Sequence, residues 1–175
     1  MKTFKQFITE SADAEYQTAV ESKDTAAQQR IVDEAAKAAG YDVVGFHGTD
    51  KVFTQFQNGR TFFSPSQTLA TKWAKVRAGK RGTPVVQKTL LRLNNPYRFT
   101  NEMGDQQAFL RIADSLQKQG YDGTILTDEK TGEVRELSVF DLSQIKSADA
   151  ITRDDQGNVI PLDERFNKSN PDIRY

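Results

Sequence analysis

The only histidine of this 175-residue chain, His47, stands in a pattern that is typical of a pocket rim. An apolar run from Val43 to Phe46 predicts a short strand that leads into His47-Gly48-Thr49. Gly48 would let a ligand approach the backbone closely, while His47 and Thr49 supply hydrogen-bonding groups on either side. A lone histidine at a strand end is more often structural than catalytic, so this pattern by itself decides nothing.

Two further stretches of the chain carry side chains that a binding or catalytic site could use, namely aromatic rings and a carboxylate. Phe62-Phe63 runs into a predicted helix that holds Trp73, and Glu136 heads the apolar run that starts at Leu137. Aromatic residues are usually core, and a carboxylate at a strand mouth is usually a solvated edge charge. Because strand neighbours point to opposite faces, only one of the two phenylalanines is expected to face the core.

Composition narrows the classes of function. Lys plus Arg and Asp plus Glu both total 24, and the resulting zero net charge argues weakly against a protein that binds nucleic acid mainly by electrostatics. The absence of cysteine excludes disulfides and thiolate chemistry, and with a single histidine it disfavours a zinc site. We therefore expect no metal, although a hard cation bound by carboxylates stays open. No apolar run reaches the roughly 18 residues that span a bilayer, so we expect no membrane partner.

The elements that must position these residues are first helices and then short strands. Three helical regions are predicted: 11–39, as one or two helices of which the second is capped by Asp24 or Ser22; 66–78, capped by Ser64; and 106–119, which ends at Gly120. The segment Ala12–Lys23 is expected to be mobile.

Short alternating runs bounded by turn residues predict the strands 42–47, 52–56, 60–64, 85–93, 121–127, 137–140 and 144–150. This order of elements indicates an α+β fold with a mainly antiparallel sheet and flanking helices. The last 24 residues, 152–175, are polar and are expected to form a loop-like tail along the surface.

The landmarks along the chain resemble one known family when they are taken together. They are Gly40-Tyr41, Phe46-His47-Gly48-Thr49, Phe62-Phe63-Ser64, Ala70, Trp73-Ala74, Asn95-Pro96-Tyr97, Gly120-Tyr121-Asp122-Gly123, the run from Glu136 to Asp141, Gln144-Ile145-Lys146-Ser147, the run from Gly157 to Leu162, Arg165-Phe166-Asn167 and the run from Asn170 to Tyr175. From residue 32 onward, over roughly 140 residues, the chain resembles the ADP-ribosyltransferase superfamily, in the branch of diphtheria-type toxins and poly-ADP-ribose polymerases. The likeness is greatest to the small domains of phage and bacterial polyproteins.

The resemblance implies a split β-sheet core and an organisation of the chain. Residues 31–151 would form the transferase-like domain, 11–30 a helical N-terminal extension, and 152–175 a surface-lying C-terminal tail of the same domain. It also implies NAD⁺ as substrate. Glu136 would be the catalytic residue, His47 and Thr49 would hydrogen-bond ribose hydroxyls, and the backbone of Gly48 would hold the nicotinamide carboxamide, which would explain a position without a side chain.

The aromatic residues would hold the nicotinamide ring. Phe62 falls where the family normally has tyrosine, and Trp73 falls at a second aromatic position, so the two would sandwich the ring. Stacking needs only a π-face, but any task of the tyrosine hydroxyl is lost. We include Phe63 in the cofactor-binding set, although its simplest role is in the core.

A carboxylate at position 136 suits the implied chemistry. Breaking the nicotinamide–ribose bond builds positive charge on the sugar, and a fixed carboxylate on the nearby hydroxyl is worth more in that state than in the ground state. The neighbouring Asp128, Glu129 and Glu133 are alternative assignments, each with a solvated turn as its simpler explanation. NAD⁺ hydrolysis without transfer is a variant of the same chemistry.

The first ten residues carry a separate resemblance. Met1–Glu10 is similar to the leader that targets internal head proteins of T-even-type phages into the prohead, and Ile8-Thr9-Glu10 matches the pattern after which the prohead protease cuts. The resemblance implies partners in the prohead scaffold and the protease, cleavage after Glu10, and location in the capsid and then in the host cytoplasm.

Two functions follow as expectations. The first is a mono-ADP-ribosyltransferase that modifies a host acceptor, which we expect to be a protein and which a loop at Thr54–Arg60 or Asp128–Arg135 would select. The alternative is a non-catalytic internal head protein that keeps the fold in order to bind or inhibit a host defence factor, a reading that the phenylalanine at position 62 favours.

Overall fold

The computed structural model describes residues 4–57, 61–100 and 106–175, with side chains from Ser11 in the first range and from Ile112 in the last. The helices in this part of the chain are α1 (Phe4–Glu21), α2 (Thr25–Ala38), α3 (Gln67–Ala78) and α4 (Gln106–Lys118). The strands are β1 (Val43–Thr49), β2 (Thr61–Phe63), β3 (Val85–Leu91), β4 (Pro96–Thr100), β5 (Gly123–Thr127), β6 (Val134–Val139) and β7 (Ile145–Ser147).

The strands form two sheets that meet at one point. The first sheet has the order β1-β3-β7, and the second has the order β2-β6-β5-β4. All the pairings are antiparallel except β4–β5, where α4 makes the crossover that a parallel pair requires. Phe46 of β1 and Ser64, directly after β2, form an isolated bridge between the sheets. The predicted α+β class with mainly antiparallel strands is confirmed.

The N-terminal helices are part of the core. Asp24 caps α2 by accepting a hydrogen bond from the Ala27 amide at 3.0 Å, so of the two predicted alternatives, Asp24 and Ser22, the first is the cap. Tyr16 of α1 is fully buried, and its hydroxyl donates to the main-chain oxygen of Ala150 at 2.9 Å. Asp13 accepts from the Leu162 amide at 2.8 Å. The expectation that Ala12–Lys23 is mobile is therefore wrong. The helix α1 is held by contacts to residues far along the chain, which the residue pattern of α1 alone does not predict.

Removing the Tyr16 hydroxyl tests this attachment. Tyr16→Phe removes one of the two donors to the Ala150 carbonyl, which keeps the longer bond from Arg165 Nη1 at 3.2 Å. The variant is expected to lower the free energy of unfolding by about 1 kcal/mol. In a chain of this size that lowers Tm by about 2–4 °C in a thermal melt. Thr18→Ala is the control, since that hydroxyl bonds only within α1. Equal stability of Tyr16→Phe and the wild type would contradict the attachment.

Strand boundaries differ from the sequence-based expectation in several places; the predicted strands 85–93, 121–127 and 144–150, for example, are observed as 85–91, 123–127 and 145–147. The segment 52–56 alternates but forms no ladder, and only Gln55 makes a bridge, to Asp172. The expectation lacks strand β4, because proline is rare within strands; here Pro96 is the first residue of an edge strand, a position that tolerates it. Strand β1 continues to Thr49, so the His-Gly-Thr step lies within a strand. Strand β6 likewise begins two residues before Glu136.

The cap of α3 also differs. The Ser66 hydroxyl oxygen accepts from the Leu69 amide at 3.4 Å, so Ser66 is the cap in place of the predicted Ser64. Ser64 accepts instead from the Ser66 amide at 3.0 Å and turns the chain into the helix.

The C-terminal segment is not a surface-lying tail. Ile160, Leu162, Phe166 and Ile173 are all at most 6% exposed. Ile173 accepts from the Ser147 amide at 2.7 Å and donates to the Thr54 carbonyl at 2.8 Å, so backbone hydrogen bonds attach the segment to the end of β7 and to the loop after β1. A segment with few apolar residues is predicted to lie on the surface, yet Leu162 and Phe166 join one core cluster and Ile173 joins another.

The buried amine of Lys146 forms hydrogen bonds to the backbone of this C-terminal segment. Lys146 is 1% exposed, and its amine donates to the main-chain oxygens of Asn170 at 2.6 Å and Asp172 at 3.3 Å. Burial lowers the pKa of Lys146 to about 8.

A pH series tests the burial of Lys146. Because the unfolded chain keeps its proton up to about pH 10.5, the unfolded state binds more protons than the folded one above pH 8, and stability rises with pH. The slope due to this group is at most about 1.4 kcal/mol per pH unit between those values. Urea unfolding from pH 7.5 to 10.5 measures it, and Lys146→Met is expected to lack that component. An identical slope in the variant would contradict the assignment.

Two sets of predictions lie outside the described residues. The first is residues 58–60 of the loop Thr54–Arg60, and the second is residues 1–3 of the leader with the side chains of Ile8, Thr9 and Glu10. The backbone of α1 runs without a break from Phe4 through Glu10 into Ser11. No helix in the described part of the chain is long and apolar enough to cross a membrane.

Candidate active site

The two sheets separate immediately beside His47. Phe46 and Ser64 exchange two backbone hydrogen bonds, of 2.8 and 2.9 Å. In a regular antiparallel ladder the next such pair would join Gly48 to Phe62. The Phe62 carbonyl accepts instead from the Nδ1 of His47 at 3.0 Å, and no backbone hydrogen bond joins Gly48 to Phe62 among the described residues. His47 thus takes the place of a ladder bond, and the Gly48 peptide faces the gap between the strands.

The same hydrogen bond determines which nitrogen of the His47 imidazole carries the proton. A carbonyl only accepts, so Nδ1 carries the proton and Nε2 is the acceptor when the ring is neutral. Burial lowers the pKa of His47, opposed by the bond to Phe62, and the charge of Arg77 lowers it further. The ring is therefore neutral at pH 7. Nε2 takes no part in the hydrogen bonds of the described residues and would accept a hydroxyl hydrogen.

Aromatic rings surround the imidazole of His47. Phe53, Phe56 and Phe63 contact it edge-on, with ring centroids 6.1, 5.1 and 5.7 Å away. Phe63 is only 2% exposed and belongs to the core cluster of Phe56 and Leu91. No face of its ring is free for a nicotinamide, so its place in the cofactor-binding set is corrected to a core position.

The hydroxyl of Thr49 does not face the gap between β1 and β2. The residue is buried, and its hydroxyl donates to the carboxylate of Asp50 at 3.4 Å. Strand β1 continues through this residue, and the side chain therefore points into the packed face rather than out of a strand end.

Gly48 lacks a side chain because of α3. A Cβ at this position would lie 2.1 Å from the Ala70 carbonyl oxygen and 2.7 Å from the Ala74 amide nitrogen. Both contacts are to the helix backbone, which cannot move aside as a side chain can. The expectation that a ligand explains the glycine is corrected: the helix requires it, and the close packing places α3 over the gap between the strands.

Glu136 lies on the second sheet, on the face that continues the face of Phe46 in the first sheet. The register Phe63↔Leu137 places Glu136 beside Ser64, so Phe46, Ser64 and Glu136 form a row across β1, β2 and β6. At strand spacings of about 4.8 Å, the Cα atoms of Phe46 and Glu136 are about 10 Å apart. By alternation, Glu136 shares its face with Phe62 and Ser64, whereas His47 shares the opposite face with Phe63.

The environment of Glu136 is unusual for a carboxylate. The side chain is half-buried, and burial alone raises its pKa. It makes no hydrogen bond or ion pair within the described part of the chain. A half-buried carboxylate without a compensating partner costs stability, and such groups concentrate at functional sites.

The two remaining aromatic residues of the predicted site, Phe62 and Trp73, differ in solvent exposure. Phe62 is partly buried and packs against the cluster of Ala113, Leu116 and Phe140. Trp73 on α3 is 59% exposed. Both rings lie on the side of the sheets that Glu136 faces, and only Trp73 offers most of its surface to a ligand.

An open cleft of about 270 Å³ lies next to Glu136, between the first turns of α3 and the start of β6. Its walls are Pro65, Ser66, Thr68, Leu69, Lys72, Glu133, Val134 and Arg135.

Asp128 shapes the turn that forms one wall of this cleft. Its carboxylate accepts from the Arg135 guanidinium at 2.6 Å and from the amides of Lys130 and Thr131 at 3.0 Å each. These bonds, with Arg135 first, lower the pKa of Asp128 to about 2. The sequence offered no signal for this role, since a solvated turn explained Asp128 equally well.

The described residues hold no group of three or more His, Asp or Glu side chains that would bind a metal ion. Comparison with protein-family models, with curated proteins and with solved structures gave no match. Within the described residues, the arrangement combines a Gly48 peptide without a backbone hydrogen bond to Phe62, an exposed Trp73 ring and a Glu136 carboxylate without an ion pair. Such a site is suited to bind a planar amide and to stabilise positive charge.

Proposed function

We propose that this protein is an NAD⁺-dependent mono-ADP-ribosyltransferase with the split-sheet fold of the ADP-ribosyltransferase superfamily. The observation that carries the proposal is the uncompensated carboxylate of Glu136, placed on one face with Phe62 and in one row with the split between β1 and β2. Its position suits a carboxylate that binds a ribose hydroxyl while positive charge builds on the sugar.

The Gly48 peptide supports the nicotinamide end of the proposal. Its N–H and C=O point toward β2, in the direction of the paired groups of Phe46, but the strands have already separated there. An amide carries one donor and one acceptor side by side, and a carboxamide would complete the interrupted ladder with both. Trp73 would cover the ring from the α3 side.

The neutral His47 supports the ribose end. With Nδ1 committed to the Phe62 carbonyl, Nε2 would accept from a ribose hydroxyl. Thr49 and Phe63 have no part in the proposal, because both are buried.

Labelled NAD⁺ incubated with a lysate of host bacteria tests the activity. The wild-type protein is expected to transfer label to a macromolecule, Glu136→Gln to transfer almost none, and Glu133→Gln, an exposed carboxylate three residues away, to behave as the wild type. Undiminished transfer by Glu136→Gln would refute the proposal. Release of nicotinamide without transferred label would replace it by NAD⁺ hydrolysis.

A non-catalytic role in which the fold binds a host factor is the second candidate. The packing of Phe62 against the cluster of α4 favours it, since a ring held there and lacking a hydroxyl contributes less to a nicotinamide pocket. Calorimetric titration with NAD⁺ separates the two, because a folded protein that shows no heat of binding would support the second candidate.

We further propose that the protein is packaged in a phage head through Met1–Glu10. The resemblance of these ten residues to capsid-targeting leaders is the support. N-terminal sequencing of the protein isolated from virions is expected to begin at Ser11. Retention of Met1 would refute the processing and leave the transferase proposal standing.

A further inference from the structure

The charges of this chain are segregated along the sequence in spite of the net charge of zero. Residues 51–101 contain ten basic residues and not one acidic residue, whereas the other 124 residues hold fourteen basic and all 24 acidic ones. The ten are Lys51, Arg60, Lys72, Lys75, Arg77, Lys80, Arg81, Lys88, Arg92 and Arg98.

The fold brings six of these cations to one side of the first sheet. Five lie on α3 and the turn after it, and all five are exposed: Lys72, Lys75, Arg77, Lys80 and Arg81. Lys88 is exposed on β3 and is paired with Phe46, so it points to the same face of the sheet as Gly48, on which α3 packs. None of the six takes part in an ion pair among the described residues. Their positive charge therefore faces solvent without compensation.

Exposed apolar side chains lie among these cations. Trp73 is 59% and Val76 is 70% exposed, and together with the partly buried Leu69 they follow one stripe of α3. Ala70 and Ala74 on the adjoining face pack against β1. An indole ring in water beside a row of cations is the combination that a single-stranded nucleic acid uses, since bases stack on the ring and phosphates contact the cations.

We propose that this basic face, formed by α3, the turn to Arg81 and Lys88, binds single-stranded nucleic acid, with one base stacked on Trp73. A membrane surface fits less well, because the helix face of Ala70 and Ala74 is committed to β1 and only a narrow apolar stripe is left to insert. A duplex would hide its bases from Trp73. The inference requires neither NAD⁺ nor Glu136.

The single tryptophan makes the test direct, because all indole fluorescence comes from Trp73. A fluorescein-labelled dT20 strand, titrated without NAD⁺, is expected to raise anisotropy, and unlabelled dT20 to quench the indole. About four phosphate contacts in a single strand would weaken binding roughly 50-fold between 50 and 200 mM KCl. Trp73→Ala is expected to weaken it about tenfold at an unchanged salt slope.

Two charge variants with the same change in net charge identify the surface. Lys75, Lys80, Arg81 and Lys88 replaced together by glutamine remove cations of the basic face that do not line the cleft beside Glu136. This variant is expected to bind at least tenfold more weakly and with a smaller salt slope. Lys37, Lys118, Lys130 and Lys168, exposed elsewhere, replaced together by glutamine are expected to bind within about twofold of the wild type.

Three outcomes would overturn the inference: equal losses in the two variants, equally tight binding of a dA20·dT20 duplex without a change in indole fluorescence, or binding to vesicles with 30% anionic phospholipid in the absence of binding to dT20. Circular dichroism of each variant shows that it is folded. Because the assay contains no NAD⁺, its failure leaves the proposed reaction standing, and a failure of ADP-ribosyl transfer leaves the basic face standing.

Discussion

Glu136→Gln is expected to reduce ADP-ribosyl transfer about 100- to 1,000-fold while the protein becomes no less stable. The loss has the size observed when one electrostatic contact to a developing charge is removed. Glutamine keeps the shape and one oxygen but carries no charge to balance the positive sugar. Ground-state binding of NAD⁺ is therefore expected to change little, and the effect should appear in kcat rather than in KM.

The stability of the same variant follows from the pKa shift. Burial raises the pKa of Glu136, so the folded state binds more protons than the unfolded state between its ordinary value near 4.5 and the raised value. The free energy of unfolding consequently falls as pH rises through that window, and the cost of the buried charge is larger at pH 7 than at pH 4. Replacing the carboxylate by an amide removes the cost.

Urea unfolding at pH 4 and pH 7 measures this cost, and turnover of labelled NAD⁺ measures the activity. Glu136→Gln is expected to be at least as stable as the wild type at pH 7, with a smaller relative advantage at pH 4. Glu133→Gln, which is exposed, is the control in both assays. A variant that loses both activity and stability at pH 7 would show Glu136 to be a structural residue.

Gly48→Ala is expected to be among the most damaging single-methyl additions in this chain. The new Cβ would overlap the Ala70 carbonyl and the Ala74 amide of α3. Because both are backbone groups, the helix as a whole must move away from β1. Overpacking of this kind costs roughly 3 kcal/mol, and in a chain of this length it lowers Tm by about 6–12 °C. The displacement would also carry Trp73 away from the gap, so NAD⁺ binding is expected to weaken.

Gly132→Ala provides the matched control for Gly48→Ala. Gly132 has φ +70° and no atom within 4 Å of an added Cβ, so its replacement costs only the unfavourable backbone conformation, about 1 kcal/mol. Thermal melts of both variants, with calorimetric titration of NAD⁺, measure the difference. Equal melting temperatures would show that α3 adjusts freely and does not depend on the glycine.

Local patterns were sufficient to predict several elements. The cap at Asp24 and the helix ends at Gly40 and Gly120 follow from side chains and backbone preferences that act within a few residues. The glycines have φ of +86° and +89°, the left-handed conformation that glycine adopts without strain. The patterns that predicted β1 and β3 are local as well, because the spacing of apolar residues in a strand is visible within a few residues.

Prediction failed where burial depends on partners far along the chain. Tyr16 is buried where its hydroxyl reaches the Ala150 carbonyl, and Ile173 is buried where its backbone bonds to Ser147 and Thr54. Neither contact leaves a trace in the surrounding residues, so polar flanking sequence was read as mobile or surface-lying. The basic face was also missed, because a net charge of zero conceals where the charges lie.

The sequence was enough to propose the residues of the candidate site: His47, Gly48, Trp73 and Glu136 follow from their chemical types together with the family resemblance. Only the tertiary structure decided how they act. The separation of β1 from β2 lets His47 bond to the Phe62 carbonyl and, among the described residues, leaves the Gly48 peptide without a backbone partner on β2. The packing of α3 on β1 requires the glycine. These relations arise from pairing across strands, and residues adjacent in the chain cannot encode them.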